Sequence, residues 1–212
     1  MERDETDRLS LAKSIQSDFA PLDGYIKTIR FAPDGHTMLT CGNDDHIRLW
    51  HFPWLGPTDE FKLPKGNVTG SKDEKLEDAD FDRDGIMMAI VTPSALHIRM
   101  IKEDKFVAVL APSSGYMFRC ARFIKRGKQS FLVTVENSKG SGKPVLCLWS
   151  CNSWIRYSQV RLYTRLRVTS MAVSANHRLI AIGAADGTVI VYDNRLYVIF
   201  GLRDHALVLI CL

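Results

Sequence analysis

Residues 31–53 read FAPDGHTMLTCGNDDHIRLWHFP, and residues 173–195 read VSANHRLIAIGAADGTVIVYDNR. The two stretches share one grammar. Each has a polar turn, an apolar run, a Gly-x-x-Asp turn (Gly42 to Asp45, Gly183 to Asp186) and a β-rich run closing on an aromatic, Trp50 or Tyr192. Self-similarity of this kind marks a repeat architecture, in which each unit buries its apolar face on a neighbour.

Two further units can be laid over this pair. The four occupy 26–52, 76–102, 118–150 and 168–194. The residue closing the first run is Phe31, Phe81, Phe123 and Val173, at steps of 50, 42 and 50 residues. The residue closing the third run is Trp50, Met100, Trp149 and Tyr192, at steps of 50, 49 and 43. A period slightly above ~40 residues with several β-runs per unit is the signature of propeller blades. HTMLTC, GIMMAIV, QSFLVTV and RLIAIG are short and apolar, as strands buried on both faces are. In the tight turns Pro33-Asp34-Gly35 and Arg83-Asp84-Gly85, the glycine supplies a positive φ. DEFKL (59–63), FVAVL (106–110), RYSQVRL (156–162) and RLYVIF (195–200) fill the place of a fourth, outer strand. A short helix is expected only near residues 5–16.

The predicted fold is therefore all-β, an open arc of about four propeller blades. Residues 1–25 form an N-terminal segment with the outer-strand stub of a preceding blade. The blades span 26–75, 76–117, 118–167 and 168–203, and 204–212 is a trailing stub opening another blade. The open ends are expected to expose Ile26, Ile29, Phe31, Val189, Ile190 and Val191.

The 212 residues are 46% hydrophobic and 25% charged, ordinary values for a globular protein. A net charge of +4 does not by itself imply nucleic acid or membrane binding. Five scattered cysteines fit reduced thiols rather than a disulfide framework. The start, MERDETDRLS, is acidic and polar, unlike a signal peptide, and no apolar run reaches the ~18 residues of a membrane span.

Few residues offer chemistry. SKGSGKPV (138–145) resembles part of a phosphate-binding loop, but Asn137 stands where the motif wants glycine and Pro144 where it wants Ser or Thr. None of the six histidines pairs with Cys or His at zinc spacing, so no metal is expected. Cys147 and Cys151 flank Trp149 and are read as core. Asn67-Val68-Thr69 is a glycosylation sequon without consequence in a cytosolic propeller. Lys72 to Asp78 lies in a mixed-charge loop. The basic groups Arg119, Arg122, Lys125, Arg126, Lys128 and Arg156, Arg161, Arg165, Arg167 are read as solvated turn and outer-strand charge, because they lack an aromatic stacking pattern.

The closing IRLWHFP and IVYDN, each after a Gly-x-x-Asp turn, resemble WD repeats. More specifically, residues 11–212 resemble the WD-repeat nucleotide exchange factors of the endoplasmic reticulum that start coat complex II assembly, the prolactin regulatory element-binding protein family. The features that carry this are SIQSDF (14–19), FRCARF (118–123), FLVTVEN (131–137), LCLW (146–149) and VTSMAVS (168–174). The resemblance implies a seven-bladed parent with a glycine-rich, potassium-holding loop in its first blade and a terminal membrane helix. This sequence has neither feature, and it reads as truncated at both ends.

The resemblance further implies a guanine nucleotide exchange factor, a regulator without catalytic residues, whose partner is the small coat complex II GTPase. The parent would sit on the cytosolic face of the endoplasmic reticulum membrane; this chain alone would be cytosolic. Without the glycine-rich loop it is expected to hold no cofactor and to have lost exchange activity. The alternative is a WD-repeat scaffold or DNA-associated binder. Asp45 and Asp186 are read as structural turn residues of the WD type. Propellers bind partners where the inter-blade loops and Gly-x-x-Asp turns emerge. The candidate contact residues there are Lys27, Glu77, Arg119 and Thr169, entering the first strands, with Asn43, Asp44 and Ala185 on the turns.

Overall fold

A computed structural model describes residues 25–42, 46–52, 56–63, 75–164, 166–203 and 206–208. The helix expected near 5–16, the N-terminal segment to residue 24, and Asn43, Asp44 and Asp45 lie outside the described residues. Among the described residues there is no helix.

The chain forms four antiparallel sheets, each a meander of consecutive strands. Blade 1 holds β1 (Ile26–Phe31), β2 (Thr37–Gly42), β3 (His46–His51) and β4 (Gly56–Lys62). Blade 2 holds β5 (Asp78–Phe81), β6 (Met87–Val91), β7 (Leu96–Met100) and β8 (Lys105–Leu110). Blade 3 holds β9 (Tyr116–Arg126), β10 (Gln129–Ser138), β11 (Val145–Ser150) and β12 (Arg156–Arg161). Blade 4 holds β13 (Val168–Val173), β14 (Leu179–Ala184), β15 (Val189–Asp193) and β16 (Val198–Arg203), with β17 (Ala206–Val208) added. The all-β propeller arrangement predicted from the repeats is what forms.

Local chemistry sets the hairpins. Asp34 accepts from the backbone N–H of His36 and Thr37, both at 2.8 Å. Asp82 does the same for Ile86 at 2.7 Å and Met87 at 2.8 Å. Gly35 and Gly85 then take φ of +69° and +65°, which a side chain would resist.

Blades pack face to face, and each seam is an apolar core. Leu39, Ile47 and Leu49 meet Ala79, Phe81, Met88 and Ile90 between blades 1 and 2. Ala89, Leu96 and Ile98 meet Phe118, Leu132 and Trp149 between blades 2 and 3. Val133, Val135 and Leu148 meet Ile180, Ile182, Ile190 and Tyr192 between blades 3 and 4. The inner strands touch in the order β1, β5, β9, β13, and no comparable seam joins β13 to β1 among the described residues. β6 and β10 of the middle blades are buried on both faces, as is β2 over residues 39–42, whereas β14 alternates because only one of its faces is covered.

Three expectations need correction. In the last segment only residues 206–208 are described, and there β17 folds back on β16, pairing Leu207 with Leu202, rather than starting a sheet of its own. The outer strand of blade 4 begins at Val198 rather than Arg195, because Asp193 turns the chain by accepting from Arg195 and Tyr197 N–H. Of the residues expected on open ends, Ile26, Ile29 and Phe31 are exposed, but Ile190 and Val191 are buried.

Candidate functional site

The inner strands converge at one end of the arc, where the turns between second and third strands also emerge. At that end β1, β9 and β13 each carry one extra residue opposite the second strand. The extra residues are Lys27, between the paired Ile26 and Thr28; Arg119, between Phe118 and Cys120; and Thr169, between Val168 and Ser170. A bulge of this kind re-aims the side chain it carries. Glu77 sits one residue before β5, its N–H donating to Val91 O at 2.7 Å.

The repeated Gly-x-x-Asp turn now has a physical reason. A Cβ on Gly42 would collide with the Tyr25 carbonyl, and one on Gly183 would lie 2.6 Å from Ser170 Oγ. In blade 1 the second strand must be bare, because the backbone of the inner strand crosses close to it; in blade 4 the near atom is the rotatable Ser170 hydroxyl.

The four bulge-level residues are joined in one row. Lys27 Nζ meets Glu77 Oε1 at 2.6 Å. Glu77 Oε2 accepts from Arg119 Nη1 at 2.9 Å, and Arg119 Nη2 donates to Thr169 O at 2.9 Å. Lys27, Glu77, Arg119 and Thr169, predicted separately from strand position, thus form a continuous brace across four blades. Ala185 stands apart from this row: its N–H donates to Arg167 O at 2.9 Å, tying the blade 4 turn to the chain entering β13. The turn itself is held by Asp186, which accepts from Thr188 N at 3.0 Å and Thr164 Oγ1 at 3.3 Å. Burial works against its charge, but those bonds hold the Asp186 carboxyl below its ordinary value.

Below the row lies a second layer. Asp78 Oδ1 accepts from Thr28 Oγ1 at 3.2 Å and Arg30 Nη2 at 3.0 Å, both from blade 1. Its Oδ2 accepts from Arg122 Nη1 at 2.5 Å in blade 3. Asp80 Oδ2 accepts from Phe123 N at 2.9 Å, and Asp84 takes Lys125 at 2.7 Å. Burial pushes the Asp78 carboxyl up to about 6 despite the nearby Arg30 charge. Burial, with the Asp78 charge adding to it, raises Asp80 to about 7. Arg119, Arg122 and Lys125 are therefore inner-strand cations paired to blade 2, not solvated turn or outer-strand charge as the sequence suggested.

A further group escaped sequence reasoning. Glu136 is fully buried between blades 2 and 3, and accepts from Ser113 N at 2.9 Å and Arg156 Nη2 at 2.7 Å. The Arg156 guanidinium lies 4.6 Å from the Trp149 ring centroid, a cation–π contact. Cys147 lies in the core as expected, and Cys151 packs against it half-buried. Burial pushes the Cys151 thiol up to about 12, which makes it a poor nucleophile. Among the described residues no cluster of His, Cys, Asp and Glu could hold a metal.

The acids around the inner strands are thus committed to arginine, lysine or backbone partners across seams, which suits a rigid binding surface. Comparison with curated proteins found no match. Residues 14–51 and 160–193 match the family model described as WD domain, G-beta repeat. The chain carries WD40 repeats set as four blades in a propeller arrangement.

Proposed function

We propose that this chain is a protein-docking arc whose partner is the small GTPase of coat complex II, and that its parent is the guanine nucleotide exchange factor for that GTPase. WD40 repeats suggest a protein-interaction propeller. The finer reading is supported by FRCARF and FLVTVEN, which fall on the inner and second strands of blade 3. The observation that carries the docking reading is the braced row of Lys27, Glu77, Arg119 and Thr169 at the mouth of the inner strands. Such a surface is pre-organised, so a partner meeting it spends little on ordering side chains.

Exchange needs no proton transfer. The factor binds best the GTPase form that holds nucleotide poorly, and so shifts the population toward the empty state. The sequence has no run of four glycines to press on the nucleotide site, so this chain binds without strong exchange. The parent acts at the cytosolic face of the endoplasmic reticulum membrane.

The test is surface plasmon resonance of the GDP-bound GTPase over the immobilised chain, with fluorescent GDP release measured in parallel. Saturable binding with an unchanged release rate is expected. Absence of binding overturns the GTPase reading. Acceleration close to that of a full-length homologue overturns the loss of exchange.

A further inference from the structure

The stretch of chain centred on blade 3 is strongly charge-segregated. Between Asp104 and Asp186 the sequence has thirteen Lys and Arg and a single acid, Glu136, leaving 15 basic against 23 acidic residues elsewhere. Four of these cations are neutralised inside the arc. Arg119 and Arg122 pair with Glu77 and Asp78, Lys125 with Asp84, and Arg156 with Glu136.

At the mouth end of the same blade the cations are left to solvent. Lys139 and Lys143 on the β10–β11 loop, Arg161 at the end of β12 and Arg167 before β13 are all exposed. The fold brings their backbones together. Leu162 N donates to Pro144 O at 2.9 Å, extending the pairing of Arg161 with Val145, so that Arg161 and Tyr163 flank the level of Pro144 next to Lys143. Asn137 and Val168 exchange two hydrogen bonds, at 2.9 and 3.1 Å, setting Arg167 near the root of the loop that carries Lys139.

The connection between β12 and β13 is also anchored by alternation. Leu162 and Thr164 are buried, while Tyr163 is 54% and Leu166 48% exposed. Thr164 Oγ1 donates to Asp186 at 3.3 Å and accepts from Leu166 N at 3.1 Å. The described residues of this connection, held at Leu162 and Thr164, thus present Arg161, Tyr163, Leu166 and Arg167 together.

We infer that this rim binds an acidic protein segment carrying an apolar side chain. Its carboxylates meet Lys139, Lys143, Arg161 and Arg167, and its apolar group lies on Tyr163 and Leu166. The inference rests on the reading of the chain as a protein-docking arc and supplies the chemistry of the partner. Tyr and Arg dominate binding hot spots, and a pinned loop costs little to order. A single-stranded nucleic acid would want a series of stacking rings, and this segment offers one. A bilayer would want apolar side chains standing free to bury among acyl chains, whereas Tyr163 and Leu166 are half covered.

The test is fluorescence anisotropy with the full chain and a labelled peptide of alternating Glu and Leu. Anionic vesicles of equal parts phosphatidylcholine and phosphatidylserine, and an oligothymidine, serve as competing probes. The double variant Arg161→Glu/Arg167→Glu should weaken peptide binding about fivefold or more, a surface-charge effect. Arg178→Glu, an exposed cation at the opposite end, should change it less than twofold. Unchanged peptide affinity in the double variant overturns the proposal, as does patch-dependent binding of vesicles or oligothymidine without binding of the peptide. A GTPase that fails to bind while the peptide binds through the patch overturns only the GTPase reading. A GTPase whose binding survives the double variant docks elsewhere and leaves the peptide result to decide the patch.

Discussion

Asp78 and Arg122 meet across the seam between blades 2 and 3 at 2.5 Å, while the same carboxyl holds Arg30 of blade 1 at 3.0 Å. One buried acid therefore stitches three inner strands. Removing one member of a buried pair leaves its partner's charge uncompensated, at a cost of about 3–5 kcal/mol. Asp78→Ala strands two arginines and should approach that cost. Arg122→Ala should cost less, and Arg30→Ala least, because Arg30 is the more exposed of the two. Urea unfolding of the three variants checks the order; an Arg30→Ala variant as unstable as Asp78→Ala would break it.

The pH dependence follows from the same layer. The folded values of Asp78 and Asp80 are raised to about 6 and about 7, from 3.8. A carboxyl raised by folding favours the native state while it is protonated. Its contribution is complete at acid pH and is lost as pH rises through the folded value. Asp80→Asn keeps an oxygen for Phe123 N–H and removes the titration. The stability gain from Asp80→Asn should therefore grow between about pH 4 and about pH 7, the unfolded and folded values of Asp80. His177, held below its ordinary value by burial and the Arg83 charge, acts in the opposite sense and is common to both proteins. Melting temperatures of the pair across that window give the readout, and a constant difference would refute it.

The two tryptophans make the same bond in different blades. Trp50 Nε1 donates to Thr40 Oγ1 at 2.8 Å, and Trp149 Nε1 to Thr134 Oγ1 at 2.9 Å. Trp149 is buried and Trp50 half-buried. Thr134→Val leaves a buried indole N–H unsatisfied, costing about 1–3 kcal/mol. Thr40→Val should cost less, since Trp50 is only half-buried. Equal losses in thermal denaturation would show that burial does not set the difference.

The repeat was legible because turn chemistry and apolar runs are local. Asp34 and Asp82 shape their hairpins from their own residues, so strand order and blade count could be read directly. The bulges at Lys27, Arg119 and Thr169 have no such marker in their own strands, although Gly42 and Gly183 opposite two of them are their trace. The pairing of Glu77, Asp78 and Asp84 with Arg119, Arg122 and Lys125 depends on how one blade registers on the next. Taken alone, each set reads as a solvated charge run. Laying the acids of one unit over the bases of the next, about one blade later, would have exposed the ladder. The fate of β17 depended on β16 offering a free edge, which no local pattern announces.

The open face of blade 1 sets the last expectation. Ile29 and Phe31 point to the side of β1 away from blade 2, at 49% and 64% exposure. Phe52 adds to it, its ring centroid 6.3 Å from that of Phe31. In blades 2 and 3 the residues matching Phe31 are Phe81 and Phe123, both buried in seams. Among the described residues no blade covers this face; a face built for a seam but left uncovered is an association site, and each end unit of a repeat array normally needs a polar cap. The purified chain should therefore show concentration-dependent self-association in sedimentation velocity. Ile29→Lys/Phe31→Lys puts two charges on that face without touching a core and should restore a monomer. A wild-type chain that stays monomeric with a sharp cooperative melt would show that the face is covered, and a double variant that still associates would place the contact elsewhere.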